Sequence, residues 1–306
     1  MKKIWITGSR GFIGKELISI LKQNNEIKCF THNVKKDFSK SGNTIQINFL
    51  SEESITKLIK KFGVPDIFIH LGWASMTDSD SKEHLDFNVN VGKNLIKKFF
   101  ELGLKKFVFI GSRDEYGEKK GSLIETMKPV GNLSKYAKAK SIVAKYGFKE
   151  ASKIDRNFIH LRLFNVYGAG QQKDALINML YRNFHEDKMT YLGPCMHFRE
   201  YIHISEVCKA IEIIIKINKT FTVNIGSGKA IELKKFINLF WKELGGKEHK
   251  IIFDVVQIRK NDPVYPNSHA NLKKLKELTG WSPSLSIENG VKLTIKKLNL
   301  LNNHKK

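Results

Sequence analysis

Short apolar segments alternate with amphipathic segments along the first half of the chain. The segment KKIWITG reads as a buried strand, and the following GKELISILKQNN carries apolar residues on one face of a helix. The same pattern predicts strands at residues 2–8, 26–33, 44–49, 65–73, 105–112 and 157–168. It predicts helices between them at residues 14–25, 51–63, 84–104 and 134–152. Strands and helices that alternate in this way are typical of an α/β fold with a doubly wound parallel sheet.

The alternation loosens after Gly168 into loops, helices and short strands. We therefore predict a ligand-binding sheet domain over residues 1–167 and a smaller α/β lobe, mainly residues 168–306, that would bind substrate and exchange some segments with the sheet domain. No apolar run reaches the roughly 20 residues that a membrane span needs. Three cysteines without a CxxC pair fit a reducing compartment, so we expect a cytoplasmic protein without a zinc cluster.

A glycine-rich loop, TGSRGFIG at residues 7–14, joins the first predicted strand to the first helix. In this context one glycine allows a tight turn, the next lets the backbone approach a pyrophosphate, and the last lets helix and strand pack closely. The phosphates would lie at the helix N-terminus, where free N–H groups favour anions. The loop predicts a Rossmann-type dinucleotide site with contacts from Gly8, Arg10, Gly11, Phe12, Ile13 and Gly14.

The end of the second predicted strand bears on the choice between NAD and NADP. NAD-selective proteins usually place a carboxylate there, against the ribose 2′-hydroxyl. Here the corresponding residues are Thr31 and His32, and Arg10 adds a positive charge in the glycine loop. A 2′-phosphate would be attracted rather than repelled. We therefore predict contacts from Thr31 and His32 and a preference for NADP(H) over NAD(H).

The chain is strongly basic, with 53 Lys and Arg against 30 Asp and Glu and a formal net charge of +23. Only seven of these cations are arginine, the side chain that base readout and bidentate phosphate binding favour. We interpret the excess as a lysine-rich surface that keeps the protein dissolved. Nucleic-acid binding is the alternative that the charge alone raises.

Tyr136 and Lys140 lie four residues apart in YAKAK, on one face of a predicted helix. A tyrosine with a pKa of about 10 is a poor acid–base catalyst at neutral pH. We expect the nearby ammonium and a cationic nicotinamide to lower the pKa of Tyr136. Ser112 follows the buried strand KKFVFIG at its carboxyl end, where parallel sheets bind ligands. Ser112, Tyr136 and Lys140 are therefore the candidate catalytic residues, whereas His70 reads as a core histidine.

Motifs along nearly the whole chain resemble those of extended short-chain dehydrogenases/reductases of the NAD-dependent epimerase/dehydratase group, whose members act on nucleotide sugars. The matching segments are TGSRGFIG, IHLGWAS, NVNVGKNL, IGSRDEYG, YAKAK, LRLFNVYGAGQ, FREYIHISEV, VNIGSG and RKNDP with GWSP. IHLGWAS resembles the family's HLAAxS, whereas NVNVGKNL departs from NVxGTxNL at Val91 and Gly92. Several matches in the family's order are more specific than any one of them.

The resemblance implies roles for the matching residues. Lys140 would bind the nicotinamide ribose and tune Tyr136, while Ser112 would hydrogen-bond the reacting oxygen. Further residues implied on the cofactor side are Leu71, Gly72 and Asn88. Those on the substrate side are Arg113, Asn165 and two arginines that would clamp a nucleotide diphosphate, Arg199 and Arg259. The resemblance also implies a nucleotide-diphosphate sugar as substrate and a homodimer through helices near residues 88–101 and 135–150.

Sugar-nucleotide 4,6-dehydratases of the family usually carry an Asp-Glu pair shortly before YG, as acid and base for loss of water. Counting back from Tyr116, Arg113 occupies the Asp position and Asp114 the Glu position. A guanidinium is no general acid at ordinary pH, so dehydration is disfavoured. IGSRDEYG is instead similar to the GSSxEYG of nucleotide-sugar 4-ketoreductases. The arginine in TGSRGFIG is similar to one in NADP-dependent GDP-fucose synthases.

We therefore predict NADPH-dependent reduction of a nucleotide-linked 4-keto-6-deoxy sugar at C4, with Tyr136 as the proton donor. A 4-epimerase or 4-dehydrogenase that holds NAD(H) tightly is the alternative enzyme, and a 4,6-dehydratase is a weaker one. Outside the enzymes, the alternative is a dinucleotide-sensing or RNA-binding module. The presence of Ser112, Tyr136 and Lys140 together speaks against that last alternative.

Overall fold

A computed structural model describes residues 1–32, 40–41, 44–256 and 267–303. Its strands are β1 (Lys2–Thr7), β2 (Asn25–His32), β3 (Lys40–Ser41), β4 (Thr44–Ile47), β5 (Ile67–His70), β6 (Lys106–Ser112), β7 (Gly121–Leu123), β8 (Asn157–Leu163), β9 (Asn165–Tyr167), β10 (Thr190–Tyr191), β11 (Phe198–His203), β12 (Phe221–Ile225), β13 (Ala230–Glu232), β14 (Ile251–Ile252) and β15 (Ser268–Ala270). Its α-helices are α1 (Phe12–Leu21), α2 (Glu52–Phe62), α3 (Val89–Glu101), α4 (Lys135–Lys153), α5 (Leu176–His185), α6 (Ile204–Ile214), α7 (Leu233–Glu243), α8 (Lys273–Thr279) and α9 (Ile287–Asn303). A π-helical turn spans His84–Asn88, and 3-10 turns span Arg113–Tyr116 and Glu248–Lys250. Within the described ranges, no helix is long and apolar enough to cross a membrane.

The central sheet has the strand order β12-β8-β6-β5-β1-β2-β4-β3. Seven of these strands run parallel to one another, and the short β3 is antiparallel to β4. Chain order reverses around β1, which pairs with both β2 and β5. The prediction of a Rossmann-type doubly wound sheet is confirmed. Ligands of such sheets bind beyond the carboxyl ends of the strands at the reversal, here the ends of β1 and β5.

The side chains of β1 illustrate how the sheet is covered on both faces. Ile4 and Ile6 lie in one buried cluster, whereas Trp5 between them lies in the other. Helices α1 and α6 contribute to the first cluster, and α2, α3 and α4 contribute to the second. A strand buried on both faces needs apolar residues at successive positions, which is why this strand reads as a continuous apolar run.

The second half of the chain supplies both the smaller lobe and one edge of the sheet domain. β12 pairs with β8 in the central sheet, and α6 packs against α1. In the smaller lobe, α5, α7 and α9 share a core that includes Tyr181, Phe240 and Val291. The domain boundary at residue 167 stays a prediction. β12 and α6 follow that boundary in the chain but pack with the sheet domain.

The single strand predicted over residues 157–168 is wrong beyond Leu163, because two strands occupy this range. β8 ends at Leu163, and β9 instead pairs with β11 in a separate three-stranded sheet. Phe164 lies between the two strands and is buried in a cluster with Tyr116 and Leu123. Hydropathy does not reveal such a change of sheet, because the chain is apolar on both sides of it.

Candidate active site

A cleft of about 1010 Å³ opens beyond the carboxyl ends of the central strands. It is bordered by the glycine loop at residues 7–14, by the ends of β5 and β6, and by side chains of the smaller lobe that include Tyr201. Every predicted cofactor or substrate residue within the described part of the chain borders this cleft. The predicted substrate residue Arg259 lies outside the described residues.

Close packing explains the glycines of the loop. Gly8 has a φ of +73°, and a Cβ added there would lie 2.7 Å from the backbone nitrogen of Gly72. A Cβ added to Gly14 would come closer still to the carbonyl oxygen of Gly8. Larger side chains would therefore push the loop away from the segment that follows β5. Bare backbone is kept against the cleft, as the approach of a pyrophosphate requires.

The N-terminus of α1 borders the cleft through Gly11, Phe12 and Ile13. Gly11 caps this helix without a side-chain hydrogen bond, and the first turn of α1 contains no acidic residue. The helix dipole and the free N–H groups of the first turn therefore favour an anion at this end of the cleft. The phosphates of a dinucleotide fit this set of donors.

The end of β2 borders the same part of the cleft through Thr31 and His32, and the exposed Arg10 borders it from the glycine loop. His32 Nδ1 accepts a hydrogen bond from the backbone N–H of Phe49 at 3.1 Å, and burial lowers the pKa of His32. Asp114 is the one acidic residue among the described residues that border the cleft. No carboxylate from these residues therefore lies at the β2 end to repel a 2′-phosphate.

Hydrogen bonds join the end of β1 to the end of β5. Thr7 Oγ1 lies 2.7 Å from His70 Nδ1 and accepts the backbone N–H of Gly72 at 3.0 Å. Burial, helped by the charge of Lys140, lowers the pKa of His70 to about 3. His70 is therefore neutral and hydrogen-bonded, in agreement with its interpretation as a core histidine.

Ser112 ends β6 and caps the 3-10 turn that follows. Its Oγ accepts the backbone N–H of Asp114 at 3.1 Å, and its own backbone N–H donates to Glu115 Oε1 at 2.9 Å. This reciprocal pair is a capping box, which fixes the serine at the start of the turn. The Ser112 side chain is thereby held at the floor of the cleft.

Glu115 is buried beneath the cleft, between His160 and Arg162. Its Oε1 lies 3.0 Å from His160 Nε2, and its Oε2 accepts from Arg162 Nε at 3.4 Å. Burial alone would raise the pKa of Glu115, but His160, Arg162 and the amide of Ser112 together lower it. Arg162 also donates to the carbonyl oxygen of Glu125 at 3.1 Å. Glu115 is therefore an ionised structural carboxylate, and Arg162 is its partner.

Tyr136 lies in the first turn of α4, which Ser134 caps through the backbone N–H of Ala137. Its backbone N–H donates to the carbonyl oxygen of Ser79 at 2.9 Å. Burial and the charge of Asp114 raise the pKa of Tyr136, against a hydrogen bond with Ser112 that lowers it. The expected lowering by a neighbouring ammonium is thus wrong for the chain's own residues, because burial and the charge of Asp114 both disfavour the phenolate.

Lys140 lies one turn further along α4, and its ammonium is buried. Nζ donates to the carbonyl oxygen of Ile110 at 2.8 Å and lies 5.6 Å from the centre of the Tyr136 ring. Burial lowers the pKa of Lys140 to about 7, although Glu115 acts in the opposite direction. Ser112, Tyr136 and Lys140 therefore meet at the floor of one cleft, beside the glycine loop.

Two aromatic residues near this group were not predicted from the sequence. The ring centre of Trp73 lies 3.6 Å from Lys140 Nζ, and the ring of His84 lies 5.3 Å from that of Tyr136. The available signal was a departure from the family motif, since Trp73 occupies an alanine position of HLAAxS. Asn88 borders the cleft as predicted, and its amide is bonded to both backbone groups of Ala74.

The predicted substrate residues lie on the side of the cleft that faces the smaller lobe. The Arg113 guanidinium donates to Ser268 Oγ at 3.0 Å and lies 3.6 Å from the Asp114 carboxylate. Asn165 Nδ2 donates to the carbonyl oxygen of Glu200 at 2.9 Å. Arg199 borders both the main cleft and a small cavity beside it. This side of the cleft therefore concentrates guanidinium groups near the candidate catalytic residues.

Residues 4–226 match the model of the NAD dependent epimerase/dehydratase family. The chain belongs to this family. Its relatives include the dTDP-4-dehydro-6-deoxyglucose reductase of Escherichia coli, 25% identical, with 96% of this chain and 97% of the relative covered. The CDP-abequose synthase of Salmonella muenchen is 29% identical over 95% of this chain and 96% of its own length. The protein is thus a member of a family of nucleotide-sugar-modifying enzymes.

Solved structures share the fold over nearly the whole chain. The UDP-glucose 4-epimerase of Thermotoga maritima superimposes with a TM-score of 0.84 at 24% identity, covering 98% of this chain and 99% of its own. The arrangement of both the sheet domain and the smaller lobe is therefore common to this protein and that epimerase.

Proposed function

We propose that this protein reduces a nucleotide-linked 4-keto-6-deoxy sugar at C4 with NADPH. The observation that carries the proposal is the meeting of Ser112, Tyr136 and Lys140 beside a glycine loop, in a cleft whose other side carries Arg113 and Arg199. The side with the glycine loop suits a dinucleotide. The guanidinium groups on the other side suit the diphosphate of a nucleotide sugar. The reductase and the synthase among the relatives support the choice of a keto sugar.

The three central residues have complementary roles in this reaction. Bound NADPH supplies the hydride that adds to C4. The Tyr136 hydroxyl donates its proton to the carbonyl oxygen, which becomes the C4 hydroxyl, and Ser112 hydrogen-bonds the same oxygen. The raised pKa of Tyr136 leaves this hydroxyl protonated at neutral pH but makes it a weaker acid, so proton transfer needs a positive charge that stabilises the tyrosinate. Lys140 holds a positive charge beside the tyrosinate that forms.

The carboxyl groups near the site favour reduction over dehydration. Loss of water needs a free acid and a free base beside the sugar. Arg113 occupies the position of the acid and is hydrogen-bonded to Ser268, while Glu115 is buried against His160 and Arg162. Asp114 is then the one carboxylate of the described cleft residues, and a single carboxylate does not supply both functions.

The preference for NADPH over NADH rests on the charge at the adenosine end of the cleft. Arg10, Thr31 and His32 border that end, and the described cleft residues place no carboxylate there. A 2′-phosphate carries negative charge that a guanidinium binds well, whereas an unmodified ribose gains less from Arg10.

A nucleotide-sugar 4-epimerase with tightly held NAD(H) is the second candidate. The fold shared with the Thermotoga maritima epimerase favours it, and Tyr136 and Lys140 would serve oxidation of a C4 hydroxyl equally well. The distinguishing property is the cofactor, because an epimerase must retain it through the reaction. Stoichiometric NAD(H) that survives purification would favour the epimerase.

The test uses purified protein, NADPH and GDP-, dTDP- and CDP-linked 4-keto-6-deoxyhexoses. We expect NADPH oxidation with the sugars of one nucleotide and none with the Tyr136→Phe variant. Absence of oxidation with every sugar, together with bound NAD(H), would replace the reductase by the epimerase. Salt-sensitive RNA binding without any turnover would instead indicate a binding module.

A further inference from the structure

The ammonium of Lys140 has an aromatic partner outside the predicted catalytic group. Lys140 is 3% exposed, and its Nζ donates a hydrogen bond to the Ile110 carbonyl. The centre of the Trp73 ring lies 3.6 Å from Nζ, and the centre of the Phe109 ring lies 5.1 Å away. An ammonium over an indole face is attracted by the negative charge of the π system, more strongly when water is excluded.

The Trp73 ring is itself fixed by a hydrogen-bond chain. Its Nε1–H donates to His84 Nδ1 at 3.1 Å. Because Nδ1 accepts this bond, the proton of the neutral imidazole is on Nε2, which lies 2.8 Å from the carbonyl oxygen of Asp78 and donates to it. The His84 side chain is fully buried, so this tautomer is held by its surroundings.

The backbone next to Trp73 is held from the same turn. Asn88 Oδ1 accepts the N–H of Ala74 at 2.9 Å, and Asn88 Nδ2 donates to the Ala74 carbonyl at 3.2 Å. His84 and Asn88 are the first and last residues of the π-helical turn, so one turn holds both the indole and the backbone that follows it. Turns of this kind occur frequently at functional sites.

We propose that Trp73 is a positioning residue for Lys140, with its indole face stabilising the ammonium and with His84 and Asn88 holding the indole in place. This inference rests on the proposed function, in which Lys140 binds the cofactor and supports Tyr136. Without the indole, the buried lysine would lose its charge at a lower pH, and Nζ would lose a fixed position at the end of β6.

Several other titratable groups face Lys140 from the elements around it. Glu115 of the 3-10 turn favours the charge of Lys140, and that charge in turn helps to lower the pKa of His70 at the end of β5. Tyr136 lies on the same helix.

A second buried lysine, Lys106, lies at the opposite end of β6 and serves as an internal reference. It donates a hydrogen bond to the Ile215 carbonyl at 2.6 Å, and its pKa is lowered to about 8, chiefly by burial.

The test follows the lysine side chains by NMR in protein labelled with ¹³C at the lysine ε-carbon. Lysines that titrate near neutral pH separate from the rest, and Lys140→Met and Lys106→Met assign the two signals. We expect Trp73→Leu to lower the pKa of Lys140 by about one unit, and Trp73→Phe by less, because phenylalanine keeps an aromatic face. The signal of Lys106 should not move in either variant.

An unchanged Lys140 pKa in folded Trp73→Leu would overturn the proposal, since a neighbour that only fills space has no reason to favour the charged form. If Trp73→Leu does not fold, His84→Leu replaces it. That variant removes the acceptor of the indole N–H, and an unchanged Lys140 pKa there would equally contradict the proposal.

A second measurement separates this inference from the proposed function. NADPH affinity above pH 7 should fall by up to about tenfold in Trp73→Leu and recover at lower pH, where Lys140 is charged again. If Lys140→Met leaves affinity and turnover unchanged, the proposed function fails, whatever the NMR result. If Lys140→Met abolishes turnover but Trp73→Leu leaves the pKa of Lys140 unchanged, only the positioning role of Trp73 fails.

Discussion

The Glu115 carboxylate accepts the backbone N–H of Ser112 at 2.9 Å, so a buried negative charge lies directly behind the candidate catalytic serine. Its other contacts are with His160 and Arg162. This arrangement ties the position of the Ser112 hydroxyl to a carboxylate that solvent does not reach. The stability of the fold and the geometry of the site therefore depend on the same carboxylate.

Glu115→Gln should destabilise the protein by about 3 kcal/mol, because the Arg162 side chain, only 16% exposed, would lose its carboxylate partner. The pKa of Glu115 lies below its ordinary value of 4.5, so its contribution is present above about that pH and is lost as the pH falls through the folded-state pKa. Denaturant unfolding at neutral and acidic pH measures both effects. The exposed Glu118→Gln is the control, and equal stability of the two variants would contradict the role of Glu115.

Tyr136→Phe should lower kcat by about 10³-fold or more, because it removes the proton donor and leaves the ring in place. NADPH affinity should remain within a few-fold of wild type, since Lys140 and the glycine loop are untouched. Fluorescence titration of NADPH and steady-state turnover measure the two quantities. Tyr146→Phe, on the same helix, controls for loss of a hydroxyl. Turnover close to wild type in Tyr136→Phe would remove the tyrosine from the mechanism.

Arg10→Ala should weaken NADPH binding by about 10- to 100-fold, the usual value of a charge-assisted hydrogen bond. NADH affinity should change little, because NADH lacks the 2′-phosphate. Calorimetric dissociation constants for both cofactors give the ratio directly, with the exposed Lys15→Ala on α1 as control. An equal loss for the two cofactors, or no loss, would contradict the assignment of Arg10.

NADPH binding should weaken as the pH rises through about 7, because burial lowers the pKa of Lys140 to about that value and the lysine loses its charge above it. Below pH 7 the ammonium is present and affinity should be at its highest. Dissociation constants measured across this range in wild type and Lys140→Met test the point. A pH dependence that persists unchanged in Lys140→Met would assign the titration to another group.

Much of the sheet domain could be predicted because its strands are buried on both faces and read as apolar runs, as in β1 and β6. The glycine loop could be predicted as well, because a side chain at Gly8 or Gly14 would clash with neighbouring backbone atoms. The change of sheet at Phe164 could not be predicted, because apolar residues both precede and follow it. The contact between Trp73 and Lys140 joins residues far apart in the chain and depends on the path of the backbone after β5.

The pKa of Tyr136 illustrates a second limit of prediction from the sequence. The spacing of Tyr136 and Lys140 on α4 indicates a common face, but it carries no information about how far solvent is excluded. In the folded protein burial and the negative charges of Asp114 and Glu115 raise the pKa of Tyr136, against its hydrogen bond with Ser112. The direction of the shift follows from the walls of the cleft, which come from segments distant in sequence.

The most direct test of the central claim is the fate of the hydride. NADPH carrying deuterium at both C4 positions of the nicotinamide ring is incubated with the protein and the 4-keto-6-deoxy sugar nucleotide that the protein reduces fastest, and the product is examined by NMR. A reductase places one deuterium on C4 of the sugar for each NADPH consumed. Oxidation of NADPH without deuterium at C4 of the sugar, or no net oxidation of NADPH, would contradict the reductase account.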